Sequence, residues 1–216
     1  MTTELARESR VLDGARTLLR RLRALAGRTV RFAQRAADRA LHRWRREAAL
    51  RRLRQAPAPK TLLVVCYGNI LRSPYAALRI EEALRANGHS TRVLQGGLLG
   101  PDRASHAEAV EAAAARGVSM SAHRSRLITP ADIAAADLFI VMEAWHGARL
   151  LGGRSGGRIL VLGDLDPGPI TSRAIIDPYG GDTELFGETY ARIDRCLAAL
   201  VENLPQPPSA RSASSP

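Results

Sequence analysis

The fourteen residues from Thr61 to Pro74, TLLVVCYGNILRSP, decide how the rest of the chain is read. The first six are apolar and rich in β-branched side chains, the pattern of a short strand buried on both faces. That strand ends on Cys66. Arg72 follows six residues later, and SPYAALRIEEALRANG then reads as a helix, with Ser73 as N-cap, Pro74 at the first helical position and Gly88 past its end. A loop that curls from a strand into a helix N-terminus turns successive backbone N–H groups inward and forms an anion-binding nest. Gly68 and Asn69 are residue types that tolerate the unusual φ of such a curl. Arg72 can fork two donors onto two oxygens of a phosphate-type group. A cysteine beneath the nest lies in the same field, which favours its thiolate and makes it a nucleophile. The expectation is a loop, Tyr67 to Ser73, that holds a phosphoryl group while the Cys66 sulfur attacks phosphorus. The Ser73 hydroxyl is placed to stabilise the sulfur as it leaves.

Outward from this stretch, TRVLQG (91–96), DLFIVM (137–142) and RILVLG (158–163) read as three further strands. Between and after them ASHAEAVEAAAARG (104–117) and TELFGETYARIDRCLAALVENL (183–204) read as helices. Strands alternating with helices predict an α/β fold: a four-stranded parallel sheet with helices on both faces. In such a sheet ligands bind beyond the carboxyl ends of the strands, which is where Cys66 falls.

The flanks differ in kind. The net charge of +11 lies wholly in residues 1–59, where sixteen arginines face five carboxylates; the remainder is balanced. Apolar residues recur there at helical spacing (Leu12, Ala15, Leu19, Leu22, then Phe32, Ala36, Ala40, Trp44, Leu50 and Leu53), with Gly14 and Gly27 as interruptions. The expectation is a basic extension over 1–58, made of two or three amphipathic helices and a Pro/Ala linker, QAPAPK (55–60). A main domain over 59–204 and a disordered Pro/Ser-rich tail over 205–216 follow. The extension reads as a solvated helical appendage, or as a device that meets an anionic membrane surface or an acidic partner. Nucleic acid ranks lower, because only Phe32 and Trp44 are available for stacking. Two cysteines are too few for a disulfide framework, the N-terminus lacks the apolar core of a secretory signal, and no apolar run is long enough to span a bilayer. These features point to a cytoplasmic protein, peripheral at the inner face of the membrane if the extension docks there.

CYGNILRSP resembles the Cys-x-Gly-Asn-x-x-Arg-Ser-Pro signature of the low-molecular-weight protein tyrosine phosphatases. GVSMSAHRSRLIT (117–129) is similar to that family's Gly-Ile-x-x-Ser-x-His-x-(Ala/Ser)-Arg segment, and DPYGG (177–181) matches its late Asp-Pro-Tyr motif. DLFIVMEAWH (137–146) resembles the version found in bacterial members tied to exopolysaccharide export. The resemblance covers about 60–204 and implies a flavodoxin-like architecture with neither metal nor organic cofactor. It implies Cys66 as nucleophile, forming a phosphocysteine, and Arg72 as the clamp on the phosphoryl oxygens. Asp177 is implied as general acid and then base, on a loop stiffened by Pro178. Tyr67, Gly68, Asn69, Ile70, Leu71, Arg72 and Ser73 are implied to surround the phosphate. Asn69, Ser73 and His123 brace the loop, and Tyr67 and Tyr179 line the slot for the substrate ring. The implied substrate is a phosphotyrosine protein, a bacterial tyrosine kinase among the partners.

Tyr67 sits where many members carry a smaller residue and makes one wall of the pocket aromatic, and further departures stand out. Leu71 replaces the family's second cysteine, which leaves oxidised Cys66 without its usual disulfide partner. Gln95-Gly96-Gly97 replaces Ser-Ala-Gly and alters one member of the bracing network. Ile70 stands where phosphoarginine-directed relatives carry Thr. Two other functions remain in play. A thioredoxin-coupled arsenate reductase on the same fold needs further cysteines, and Cys196 lies among helical core positions. A non-catalytic phosphoprotein-binding module is kept open by Gln95. His42, His89, His106 and His146 read as packing or surface residues, and Asp164-x-Asp166 is weak evidence for a metal.

Overall fold

Strand β1 (Thr61–Cys66) is buried at every position, as its apolar run requires. A computed structural model describes residues 2–152 and 157–205, with side chains from residue 25 onward except residue 31. Three more strands join β1 in one parallel sheet: β2 (Arg92–Gly97), β3 (Leu138–Val141) and β4 (Ile159–Val161), in the order β2-β1-β3-β4. β1 pairs with β2 from Thr61↔Arg92 to Cys66↔Gly97, and with β3 from Leu62↔Leu138 to Val65↔Val141. The chain leaves β1 first toward one edge of the sheet and later toward the other. The carboxyl end of β1 is therefore the switch point, where diverging loops open a crevice.

Alternation along β1 divides the core in two. Leu62, Val64 and Cys66 face the larger cluster, shared with α2 (Arg72–Ala86), α3 (Ala107–Ala114) and α6 (Thr183–Asn203). Leu63 and Val65 face the smaller one, with Phe139, Val141 and the flank formed by α4 (Pro130–Ala135) and α5 (Ala144–Leu151). Helices thus cover both faces, as expected; the short α4 and α5 were absent from the sequence reading. α2 and α6 are joined by the stacked rings of Tyr75 and Tyr190, 3.9 Å apart, and by the Tyr75 hydroxyl donating to Asp194 at 2.8 Å.

The N-terminal segment departs from expectation. It is one helix, α1 (Thr2–Gln55), continuous through Gly14 and Gly27. A glycine in a helix interior costs about 1 kcal/mol relative to alanine, and the surrounding Ala, Leu and Arg residues are strong helix formers that absorb it. The helix runs through Gln55, the first residue of the expected linker, and the boundary at 58 is one of sequence rather than packing. Ala49, Leu50 and Leu53 belong to the larger core cluster. His42 donates from Nε2 to the carbonyls of Asp166 (3.0 Å) and Gly168 (3.1 Å). Asp38 accepts from the Arg173 backbone N–H at 3.0 Å and from Arg45 at 2.7 Å. The second half of α1 is thereby fastened to the segment 164–173. The tail expected over 205–216 lies outside the described residues from 206 onward.

Candidate active site

In the loop from Tyr67 to Leu71 the carbonyl oxygens of Tyr67, Gly68, Asn69 and Leu71 turn outward to partners. Tyr67 O accepts from the N–H groups of Leu98 (2.8 Å) and Leu99 (3.1 Å). Gly68 O accepts from Arg103 Nη2 at 2.6 Å. Asn69 O lies 2.8 Å from His123 Nε2, and Leu71 O accepts from the Tyr190 hydroxyl at 3.3 Å. With planar peptides, carbonyls pointing outward leave the N–H groups facing the space the loop encloses. The curl depends on Asn69, whose φ of +52° lies in the left-handed region. Gly68, expected to share that conformation, does not; its lack of a side chain makes room instead, since a Cβ there would come within 3.3 Å of Arg103 Nη2. Gly97 serves the same loop from below: a Cβ would sit 2.9 Å from Asn69 Cβ and from Tyr67 O.

Cys66 lies at the floor of this loop and is 2% exposed. Its sulfur accepts from the Asn69 backbone N–H at 3.2 Å and sits 3.0 Å from Ser73 Oγ. Ser73 does not cap α2, as the sequence suggested. The helix begins at Arg72, two residues before the expected first helical position, without a side-chain cap, because the Ser73 hydroxyl is engaged by Cys66 and by Asn69 Nδ2 at 2.9 Å. Gln95 completes the brace: its Oε1 accepts the second Asn69 Nδ2 hydrogen. Asn69 Oδ1 in turn accepts from the Arg126 N–H at 2.9 Å. Asn69, Ser73 and His123 are thus brought together around the loop, with Gln95 in the place of the family's serine.

Arg72 is 1% exposed, yet it carries no apolar function. Its Nη1 donates to Glu143 Oε1 and to the Ile175 carbonyl, both at 2.9 Å, and its Nη2 donates to Asp177 Oδ2 at 2.5 Å. Its Nε is buried with no partner among the described residues. An orphaned donor on a buried cation is costly unless a ligand satisfies it, and Nε with Nη2 is one edge of the guanidinium fork. Cys66, Arg72 and Asp177, far apart in sequence, line one cavity of about 370 Å³. Ile70 and Leu71 form its apolar wall, and Tyr67 and Tyr179 its rim, 43% and 65% exposed.

Sequence reasoning missed several residues here. Glu143 follows the end of β3, the position at which a side chain reaches the crevice, and that was the available signal. Burial pushes its carboxyl upward, but the hydrogen bond and charge of Arg72 more than reverse this and hold it below the usual range. His146, one turn along, is fully buried; its Nδ1 accepts from the Glu143 N–H at 3.2 Å. Burial, reinforced by Arg72 and opposed by Glu143, lowers it to about 4, so it is neutral. Trp145 donates from Nε1 to Glu143 at 3.0 Å and packs on Tyr67 with ring centroids 5.7 Å apart, extending the aromatic rim. Arg103 was also missed. Elsewhere, Asp164 is paired with Arg173 and Asp166 with Arg192 and Arg195, and Cys196 is fully buried, its thiol pushed up to about 12 by desolvation.

Comparison with known proteins agrees with this geometry. The family model described as low molecular weight phosphotyrosine protein phosphatase matches residues 61–209. A probable low molecular weight protein-tyrosine-phosphatase, EpsP of Ralstonia nicotianae, is 30% identical over 147 residues, covering 67% of this chain and 96% of its own length. Etp of Escherichia coli K12 is 30% identical over 147 residues, covering 67% and 94%. Among solved structures, Wzb of Vibrio vulnificus in complex with benzylphosphonate matches with TM-score 0.59 at 27% identity, covering 67% of this chain and 99% of that one. The tyrosine phosphatase AmsI of Erwinia amylovora gives 0.61 at 25%, covering 69% and 96%. From β1 to the end of α6, this chain belongs to the low molecular weight phosphotyrosine protein phosphatase family.

Proposed function

We propose that the protein hydrolyses phosphotyrosine in protein substrates through a phosphocysteine intermediate. The observation that carries this reading is Arg72 Nε, without a partner among the described residues, beside Cys66 and Asp177 in one cavity. A phosphoryl group seated in the loop offers oxygens to the inward N–H groups and to the Nε/Nη2 edge of Arg72, displacing Asp177 from Nη2. The Cys66 thiolate attacks phosphorus from beneath, the S–P bond forms and the P–O bond to the phenol breaks. The departing oxygen takes its proton from the Asp177 carboxyl. A water then attacks phosphorus, gives its proton to the Asp177 carboxylate and releases phosphate and the thiolate. Ser73 Oγ, 3.0 Å from the sulfur, stabilises the thiolate as it departs.

The aromatic rim of Tyr67, Tyr179 and Trp145 suits a phenyl ring, and a relative at 27% identity binds benzylphosphonate. Ile70, buried in the cavity wall, offers no hydroxyl to a phosphoguanidinium, which supports tyrosine over arginine; a protein-arginine-phosphatase of Bacillus subtilis is 25% identical. The resemblance of DLFIVMEAWH to exopolysaccharide-linked members supports a bacterial tyrosine kinase as the physiological partner. Neither alternative gains support: Cys196 is buried with a raised thiol, unsuited to resolving an oxidised Cys66, and Gln95 joins the brace rather than disrupting it. Turnover of phosphotyrosine peptides, phosphoarginine and arsenate with thioredoxin, measured side by side, tests the reading. Phosphotyrosine must be hydrolysed with the highest kcat/KM, and preference for either other substrate overturns it.

A further inference from the structure

Asp177 sits on a segment with no regular structure of its own. From residue 166 to residue 182 the backbone forms neither helix nor strand, so bonds from neighbouring elements set its course. At the active-site end, the Ile175 N–H donates to the Met142 carbonyl and the Ile175 carbonyl accepts from Arg72 Nη1, both at 2.9 Å. The other end is held in large part by α1. Asp38 Oδ2 accepts from the Arg173 N–H at 3.0 Å and from Ser172 Oγ at 3.3 Å. His42 Nε2 donates to the carbonyls of Asp166 and Gly168, and Arg46 Nε to that of Leu165 at 3.4 Å. Asp38, His42 and Arg46 recur every four residues and so lie along one side of α1. From α6, Arg192 donates to the carbonyls of Ser172 at 2.7 Å and Ala174 at 2.8 Å.

Arg173 lies four residues before Asp177. The Asp177 carboxylate also accepts from Arg72 Nη2, but that edge of the guanidinium is the one a phosphoryl group takes. Once it does, the carboxyl keeps its place over the leaving oxygen only through its own backbone. That backbone is fixed at Ile175 and, just upstream, at Ser172 and Arg173, where Asp38 and Arg192 make the anchor between them. Two anchors set both the position and the direction of the chain; one alone lets Asp177 swing. A misplacement of about 1 Å can cost a catalytic group about a hundredfold in rate. α1 lies before residue 61, where the family match begins, so half of the upstream anchor comes from outside the matched domain.

We propose that Asp38 and His42 are positioning residues for the general acid: α1 holds the segment 164–173 so that Asp177 meets the leaving phenol oxygen. The proposal rests on the reading of Asp177 as that acid. Leaving-group dependence tests it in the full chain. 2,4-Dinitrophenyl phosphate releases a stable anion that needs no proton, whereas tyrosine needs one as it departs. A misplaced acid therefore slows phosphotyrosine selectively, while a distorted phosphate loop or a loss of folded protein slows both. We compare kcat/KM, which reports the steps up to P–O cleavage, for a phosphotyrosine peptide and the dinitrophenyl ester. Asp38→Ala must lower it at least about fivefold for phosphotyrosine and less than about twofold for the dinitrophenyl ester. His42→Leu, which keeps the volume and removes the donor, must show the same selectivity and carries the test if Asp38→Ala does not fold. In an Asp177→Ala background, Asp38→Ala must change phosphotyrosine hydrolysis by less than about twofold, because the group it positions is gone. An equal fall on both esters, no fall on either, or an undiminished effect of Asp38→Ala without Asp177 overturns the positioning role and leaves the acid standing. If Asp177→Ala alone is unselective between the two esters, the reading of Asp177 as the acid fails, and the proposal fails with it.

Discussion

Replacing Gln95 by leucine removes one of the two acceptors that hold the buried Asn69 amide. Asn69 is fully buried and holds a positive φ, and its Nδ2 carries two hydrogens with two acceptors, Ser73 Oγ and Gln95 Oε1. Leucine keeps the volume and removes one acceptor. If water reaches the freed N–H, the loss is one neutral hydrogen bond, about 0.5–1.5 kcal/mol; if not, the desolvation cost of a buried donor, about 1–3 kcal/mol, applies. Gln95 is half-buried, so the lower part of that span governs, and about 1–2 kcal/mol is the working figure. In a domain of this size that is a fall in Tm of roughly 2–8 °C. The remaining bonds to Asn69, from Arg126 and His123 and to Ser73 and Cys66, hold the curl, so kcat/KM falls by less than about tenfold per 1.4 kcal/mol lost. Gln95→Glu restores an acceptor but adds negative charge near the nest, so it should recover Tm while weakening inhibition by inorganic phosphate. Thermal unfolding and phosphate inhibition read both effects. If Gln95→Leu changes neither Tm nor kcat/KM, Gln95 is not a brace. If it abolishes activity in a folded protein, the loop depends on Gln95 alone and the network described here is wrong.

Asp177→Ala should lower kcat for phosphotyrosine peptides by about 10²–10⁴ with little change in KM. It should also bind inorganic phosphate at least as tightly as the unmodified chain, since a competitor for Arg72 is gone; steady-state kinetics and phosphate inhibition check both. His146, lowered to about 4 by burial, is uncharged when folded while the unfolded chain protonates near 6.5. Its contribution is complete above that value and is lost as pH falls from there to about 4, up to roughly 3 kcal/mol. Urea unfolding across this window should slope for the wild type and flatten for His146→Phe. Asp38→Ala removes the acceptor of the Arg173 N–H and of Arg45, at about 1–3 kcal/mol in urea unfolding. Burial raises the Asp38 carboxyl, but the Arg173 N–H, Arg45 and Ser172 more than offset it and hold it low. Its stabilisation is therefore present above about pH 4 and lost below, where wild type and variant should converge.

The sheet was legible because β1 to β4 are short apolar runs separated by glycine and helical stretches, and the loop because Cys66, Gly68, Asn69, Arg72 and Ser73 are close in sequence. Asp177 was reached through a motif rather than a pattern. What stayed hidden depends on contacts across the fold. Glu143 becomes a partner of Arg72 only once β3 lies beside β1, and no local pattern marks that pairing. Ser73 reads as a cap until the sulfur beside it is placed. Gly14 and Gly27 read as helix breaks because local propensity ignores how strongly their neighbours favour helix, and the burial of Leu50 and Leu53 against the core cannot be told from their spacing on an amphipathic helix.

The most direct measurement is a stopped turnover with a ³²P-labelled phosphotyrosine peptide, comparing the unmodified chain with Cys66→Ser in the presence of EDTA. The account predicts an acid-trapped, thiol-linked phosphoryl group on the unmodified chain, mapped to Cys66, with turnover lost in the variant. A folded Cys66→Ser protein that still turns over at the unmodified rate, or label trapped on any other residue, would contradict it.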